Sequence, residues 1–203
     1  MAAEDTGTRG SFERAKRLPP EERRRLLVET ALGVFAERGY AATELGDVAA
    51  AAGVGRPLLY HYFEGGKEDL YVAVLELAWQ ELIDRLEVDP ERGRGMLAAN
   101  LPAYLDLVEA GEPALAVIRG SRRLEGERIK AASRQSGLML ARGIAMNQLG
   151  LEDPPPQVLA ALLGFLAYFE TLLEEWRAGR ITRADVERLV SETLPAIADA
   201  ASA

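Results

Sequence analysis

TELGDVAAAAGVGRPLLYHYFEGGK, residues 43–67, is the stretch that decides how the rest of the chain is read. It holds two short apolar runs. Leu45, Val48, Ala49 and Ala52 form the first, which ends at Gly53; Leu58, Leu59 and Phe63 form the second, only a few residues later. This spacing predicts two short helices joined by a tight turn. Thr43 stands where its hydroxyl can accept a free backbone N–H of the first helix's opening turn. Gly53 suits the left-handed conformation at that helix's end, with Val54 as the buried turn residue. Gly55 is an acceptable cap for the second helix, and Pro57 falls in its first turn, where a missing N–H costs nothing. Ala49 and Ala52 are small enough to let the two helices cross closely. The pattern is a helix-turn-helix.

The second helix exposes an unusual face. Leu59 and Phe63, four residues apart, share its core side, which leaves Arg56, Leu58, Tyr60, His61 and Tyr62 for the outer face and flanks. A solvated face of a small domain more often carries Glu, Lys and Gln. A guanidinium, two phenols and an imidazole instead suit phosphate oxygens and base edges in a major groove. Singly, each has a plainer role: half-buried packing for Tyr60 or Tyr62, a solvated charge for Arg56. Together, on one short helix behind a turn glycine, they favour double-stranded DNA as the partner.

Upstream lies Ala31-Leu-Gly-Val-Phe-Ala-Glu-Arg-Gly-Tyr40, then Ala42-Thr43. With Val48-Ala-Ala-Ala-Ala-Gly-Val-Gly55, Leu59-Tyr-His-Tyr-Phe63 and Lys67, this stretch resembles the DNA-binding domain of TetR-type transcriptional regulators, over about residues 26–75. The resemblance implies a three-helix head whose third helix enters the major groove. It further implies that Thr43, Tyr60, His61 and Lys67 position the protein on phosphates, and that Arg56, Pro57 and Leu58 read or line the groove, with Gly55 at the mouth of the reading helix. Pro57 and Leu58 stand where the family often has Gly and a small polar residue, so contacts there are expected to be apolar, for instance with a thymine methyl. Glu64-Gly-Gly66 makes the spacing from Phe63 to Lys67 one residue longer than the commonest in the family. A cation at a helix start opposes the helix dipole, and a phosphate would relieve that conflict at Lys67.

The chain has 203 residues, 48% hydrophobic and 28% charged, the composition of an ordinary globular protein of one or two domains. We find no apolar run of about 18 residues and therefore expect no membrane span. Residues 1–11 are polar and lack the apolar stretch that export needs, so the expected location is cytoplasmic. With no cysteine, disulfides, thiolate metal sites and cysteine nucleophiles are excluded. A net charge of −8 at first argues against nucleic acid. However, residues 1–66 hold 9 Lys and Arg against 10 Asp and Glu, while residues 67–203 hold 15 against 22, so the excess lies outside the reading head. A near-neutral head implies few phosphate contacts per subunit and a need for two heads acting together.

Taken in order, residues 1–18 read as a flexible polar arm, residues 19–66 as the DNA-binding domain, and residues 67–203 as a larger helical domain for ligand binding and dimerisation. The expected fold is all-α. Pro19-Pro20 stops the arm, and Glu21 and Glu22 suit a first helical turn. That helix runs to Arg38, burying Leu27, Ala31, Val34 and Phe35, and Gly39 ends it. The cluster Arg23-Arg24-Arg25 either faces the DNA backbone or pairs with neighbouring glutamates. From Lys67 to about Leu86 a helix carries two apolar stripes, so it is covered on more than one side. Residues 88–95 read as a loop. Helices are expected over about 96–110, 113–118, 121–149, 156–178 and 183–200, with a kink or turn at Pro102.

The last two helices are the expected dimer surface, through Leu162, Phe165, Leu166, Phe169, Leu173, Leu189 and Leu194, because their apolar content exceeds one core face. The resemblance implies a four-helix bundle with a second copy. A twofold dimer would set its reading helices roughly 34–36 Å, or a multiple of that, apart on a near-palindromic site. His61 is the only histidine, which leaves no material for a histidine metal site or a Ser-His-Asp triad, and no cofactor or enzymatic activity is expected. The resemblance also implies a small-molecule effector, for which Trp79, Tyr104, Val108, Met139, Phe165 and Phe169 are candidate lining residues. Arg122, Arg123 and Arg142 are candidates to meet an acidic ligand. The rival reading is a helical small-molecule binding protein with a vestigial helix-turn-helix.

Overall fold

The computed structural model describes residues 18–86 and 96–202. The arm, except Leu18, and the 88–95 loop lie outside the described residues. Among those described, all regular structure is helical, as expected: α1 (Pro20–Ala42), α2 (Leu45–Ala51), α3 (Arg56–Tyr62), α4 (Lys67–Arg85), α5 (Met96–Glu109), α6 (Pro113–Ser121), α7 (Glu127–Leu149), α8 (Pro156–Arg177) and α9 (Arg183–Ser202).

Two compact units make up the chain. The first runs through Leu82 and takes in Glu112–Ser133 as well. Its α1 starts at Pro20 with Glu21 and Glu22 in the first turn, and buries Leu27, Val28, Ala31, Leu32 and Phe35 along one stripe. Gly39, at φ +76°, breaks the helical path where the sequence expects an end. Just beyond, Thr43 departs from its expected role. Its side chain is fully buried, and its hydroxyl donates to the Gly39 carbonyl at 2.7 Å. The carbonyl freed at the helix end therefore takes the hydroxyl, and α2 is capped without it: the Asp47 carboxylate accepts the Glu44 N–H at 2.8 Å.

Phe35, Tyr40 and Tyr71 join α1 to α4 through edge-on contacts, with the Tyr71 ring 4.9 Å from each of the other two. Tyr71 is buried, and its hydroxyl donates to the Val117 carbonyl at 3.0 Å, bringing α6 onto the same core, where it also packs along α1. Burial, together with the neighbouring Tyr40, pushes the Tyr71 phenol up to about 12.

The second unit comprises Ile83–Gly111 and Arg134–Ala203. In it α9 packs on both α8 and α5. Pro102 sits inside α5 without ending it, and its carbonyl accepts from Arg183 Nη2 at 3.0 Å. Arg183 Nη1 also pairs with Asp106 at 2.6 Å and Glu109 at 3.1 Å, and hydrogen bonds to Asp106 and Glu187 push the guanidinium's already high pKa further up. α7 begins at Glu127 rather than 121, because residues 122–126 form a connection in which the Leu124 N–H donates to the Ser121 carbonyl at the end of α6.

α8 corrects the expectation about apolar runs: its 22 residues are long and apolar enough, by composition, to cross a membrane. The reason lies in the chain's own core. Val158, Leu162, Phe165, Leu166, Phe169, Leu172 and Leu173 of α8 are all buried within the protein.

Candidate nucleic-acid interface

α2 and α3 form the helix-turn-helix. Gly53 takes φ +65°, the left-handed conformation its place demands, and the Val54 N–H donates to Ala49 at 2.9 Å. Ala49, Ala52 and Val54 are buried at the crossing. Gly55 precedes α3 in extended conformation, and Pro57 lies in its first turn. Leu59 and Phe63 point into the core, 0% and 2% exposed. Gly55, Arg56, Pro57, Tyr60 and His61 are exposed, while Leu58 and Tyr62 are half-buried. The helix thus offers one cation, one phenol and one imidazole to solvent from a rigid seat. The His61 and Tyr62 rings meet edge-on at 5.2 Å.

Arg56 has a seat of its own. A Cβ on Gly46 would lie 2.7 Å from its Nη2 and 2.8 Å from its Nε, so the guanidinium rests where only glycine leaves room. Arg24 is a further candidate that sequence reasoning left within a cluster: its guanidinium lies 5.3 Å from the centre of the Phe63 ring, at the far end of α3. The two positions are 39 residues apart, and only the fold brings them together. Of its neighbours, Arg23 donates to the Leu18 carbonyl at 2.7 Å and Arg25 pairs with Glu29 at 3.2 Å.

Two expected phosphate contacts have internal partners instead. Thr43 is buried, as described. Lys67 Nζ donates to the carbonyls of Tyr40 at 3.1 Å and Thr43 at 2.9 Å, and lies 4.5 Å from the Tyr40 ring. These carbonyls close the end of α1, where partial negative charge collects, so the ammonium's conflict with its own helix is relieved within the protein.

Residues 27–74 match the family model described as bacterial regulatory proteins, tetR family. Residues 27–74 form a TetR-family DNA-binding domain. The activator FasR of Mycolicibacterium smegmatis is 37% identical over 106 residues, 49% of this chain and 47% of FasR, so the chain spans about half the length of that relative. A TetR-family transcriptional regulator from Streptomyces coelicolor, solved by crystallography, superposes with TM-score 0.70 at 29% identity, covering 91% of this chain and 84% of that one. AibR, solved with isovaleryl coenzyme A and operator DNA, shares the fold at TM-score 0.51 and 23% identity, over 81% of this chain and 94% of AibR.

The candidate effector residues are divided between the two units. In the second unit the Tyr104 and Phe169 rings lie 5.4 Å apart, beside buried Val108 and Phe165, whereas Met139 is 62% exposed. Trp79 belongs to the first unit. That unit has a cleft of about 480 Å³ between Glu21, Arg24 and Val28 of α1 and Ala73, Leu77 and Gln80 of α4, and none of the six candidates lines it. The expected dimer residues Leu162, Phe165, Leu166, Phe169, Leu173 and Leu194 are buried within the single chain, and Leu189 is half-buried. Their apolarity serves the chain's own core.

Proposed function

We propose that the chain is a DNA-binding transcriptional regulator that acts in the cytoplasm as a homodimer on a near-palindromic operator and responds to a small-molecule effector. The observation that carries this is α3: seven residues seated by Leu59 and Phe63, with Arg56, Pro57, Tyr60 and His61 exposed on the opposite side. Arg56 is the candidate base reader, Pro57 and Leu58 the apolar groove lining, and Tyr60, His61 and Arg24 the candidate phosphate partners. Thr43 and Lys67 are left to hold the seat.

Repression is the default direction, since a dimer lying on promoter DNA excludes other proteins with no additional contact. FasR is an activator, and activation would need a further surface. The effector reading is supported at the level of fold by AibR. The aromatic pair Tyr104 and Phe169 is its candidate anchor here.

Selection of genomic fragments by the purified full chain tests the proposal. The expected result is enrichment of a near-palindromic sequence, weakened on adding a cognate metabolite. Arg56→Ala should cost about 1–3 kcal/mol of operator affinity and relax preference at one base position, whereas Tyr60→Ala should weaken all sequences alike. Enrichment of nothing by the wild-type chain would leave the rival, a small-molecule carrier with an idle helix-turn-helix.

A further inference from the structure

Behind the reading helix, two consecutive carboxylates at the start of α4 hold two things that are distant in sequence. α7 begins at Glu127, and its first backbone N–H groups have no partner within their own helix. Glu68 supplies one from outside: its Oε1 accepts the N–H of Arg128 at 2.9 Å and of Ile129 at 3.4 Å. Gly126, just before the helix, leaves the space this needs, because a Cβ there would lie 2.5 Å from that same oxygen. Asp69 faces the other way. Its Oδ2 accepts the N–H of Gly65 at 2.6 Å, and its Oδ1 pairs with the guanidinium of Arg128. Gly65 is again a residue with no room for a side chain: a Cβ would lie 2.6 Å from both Arg128 Nη1 and the Asp69 carboxylate.

These contacts form one continuous junction. The turn after α3, closed by the Gly66 N–H on the Phe63 carbonyl at 2.9 Å, is gripped by Asp69. Asp69 is gripped by Arg128, and the backbone of Arg128 is gripped by Glu68. The Asp69 carboxylate is only 18% exposed, which sets it apart from a fully solvated surface pair. We propose that Glu68 and Asp69 are positioning residues for the reading helix, fixing the 63–66 turn against the first turn of α7 so that the pose of α3 depends on where α7 begins. This rests on the DNA-binding reading above. A shift of α7's first turn would reach Arg56 and Tyr60 through this junction, although neither carboxylate need touch DNA.

The test uses the full chain and its selected operator, with Glu68→Ala, Glu68→Gln and Arg128→Gln. Glu68→Ala should weaken operator binding about tenfold, the scale of one lost charge-assisted hydrogen bond. Glu68→Gln keeps an oxygen able to accept both N–H groups and should recover most of the affinity. Arg128→Gln, which spares the backbone N–H, should fall between them. Amide exchange should speed up in residues 60–66 of Glu68→Ala while the buried amides of α1 and α4 stay slow. Unchanged operator affinity in Glu68→Ala, exchange raised equally across α1 and α4, or a Gln variant as impaired as Ala would each overturn the proposal. If the wild-type chain enriches no DNA, the functional reading falls, and exchange in residues 60–66 of Glu68→Ala still decides the junction.

Discussion

Gly46 shows how one missing methyl group governs where a reading side chain rests. A Cβ there would crowd the Arg56 guanidinium at 2.7 Å, and because that guanidinium ends a flexible arm, the cheapest relief is for Arg56 to move. Gly46→Ala should therefore leave thermal stability unchanged or slightly raised, given the better helix propensity of alanine. It should also alter the base preference found by operator selection; identical preference in both proteins would show that Arg56 does not read from this seat. Tyr71 makes a prediction of another kind. In the unfolded chain a phenol ionises near pH 10, whereas in the fold it holds its proton to about 12. Between those values only the unfolded state releases the proton, so stability that is complete below pH 10 declines as pH rises toward 12, by about 2–3 kcal/mol. Denaturant melts at pH 9 and pH 12 measure this, and Tyr71→Phe should flatten the difference. Thr43 and Lys67 show where single residues have internal partners that the sequence does not reveal. Their positions were legible, but the carbonyls of Gly39, Tyr40 and Thr43 that occupy them belong to the end of α1, and a string of letters does not show which carbonyls a helix end leaves open.

Helices were the most legible level of the structure, since apolar spacing of three and four residues marks a helix wherever it is sustained. α5, α6, α8 and α9 lie within a few residues of the expected ranges, and the turn glycine Gly53 adopts the backbone its place requires. Gly53→Ala should cost about 1–2 kcal/mol by forcing a Cβ into the left-handed region, and a thermal melt of the full chain would register it. The late start of α7 has a specific cause: Glu125-Gly126 interrupts the pattern, and Gly126 is needed at that point to admit Glu68 from 58 residues upstream. Burial direction was less legible than helicity. α8 carries so many apolar residues that surplus for a partner seemed the natural inference, yet Leu162, Phe165, Leu166, Phe169 and Leu173 all turn into their own chain. What α8 leaves outside is a row of small residues, Ala160, Gly164, Ala167 and Thr171, all exposed.

For the proposed dimer as a whole, that outer row would let a second copy approach α8 closely, and a Cβ built on Gly164 would meet nothing within 4 Å. Gly164→Arg should accordingly fold as well as the wild type yet sediment as a monomer and lose most operator affinity, because two heads no longer act as one. A wild-type chain that is itself monomeric at micromolar concentration would remove the dimer from the proposal. The near-neutral head predicts a shallow salt dependence of binding, a few counterions per subunit. Arg183 carries a different consequence. One guanidinium answers Asp106, Glu109, Glu187 and the Pro102 carbonyl at once, so the polar contacts between the start of the last helix and α5 converge on a single side chain. Replace it with alanine, and two carboxylates three positions apart are left facing each other without a counter-charge. Limited proteolysis at the exposed corner of residues 178–182 should then run faster than in the intact protein, as the first turn of the C-terminal helix loosens from α5 while Val186, Val190 and Leu194 keep the rest of that helix packed.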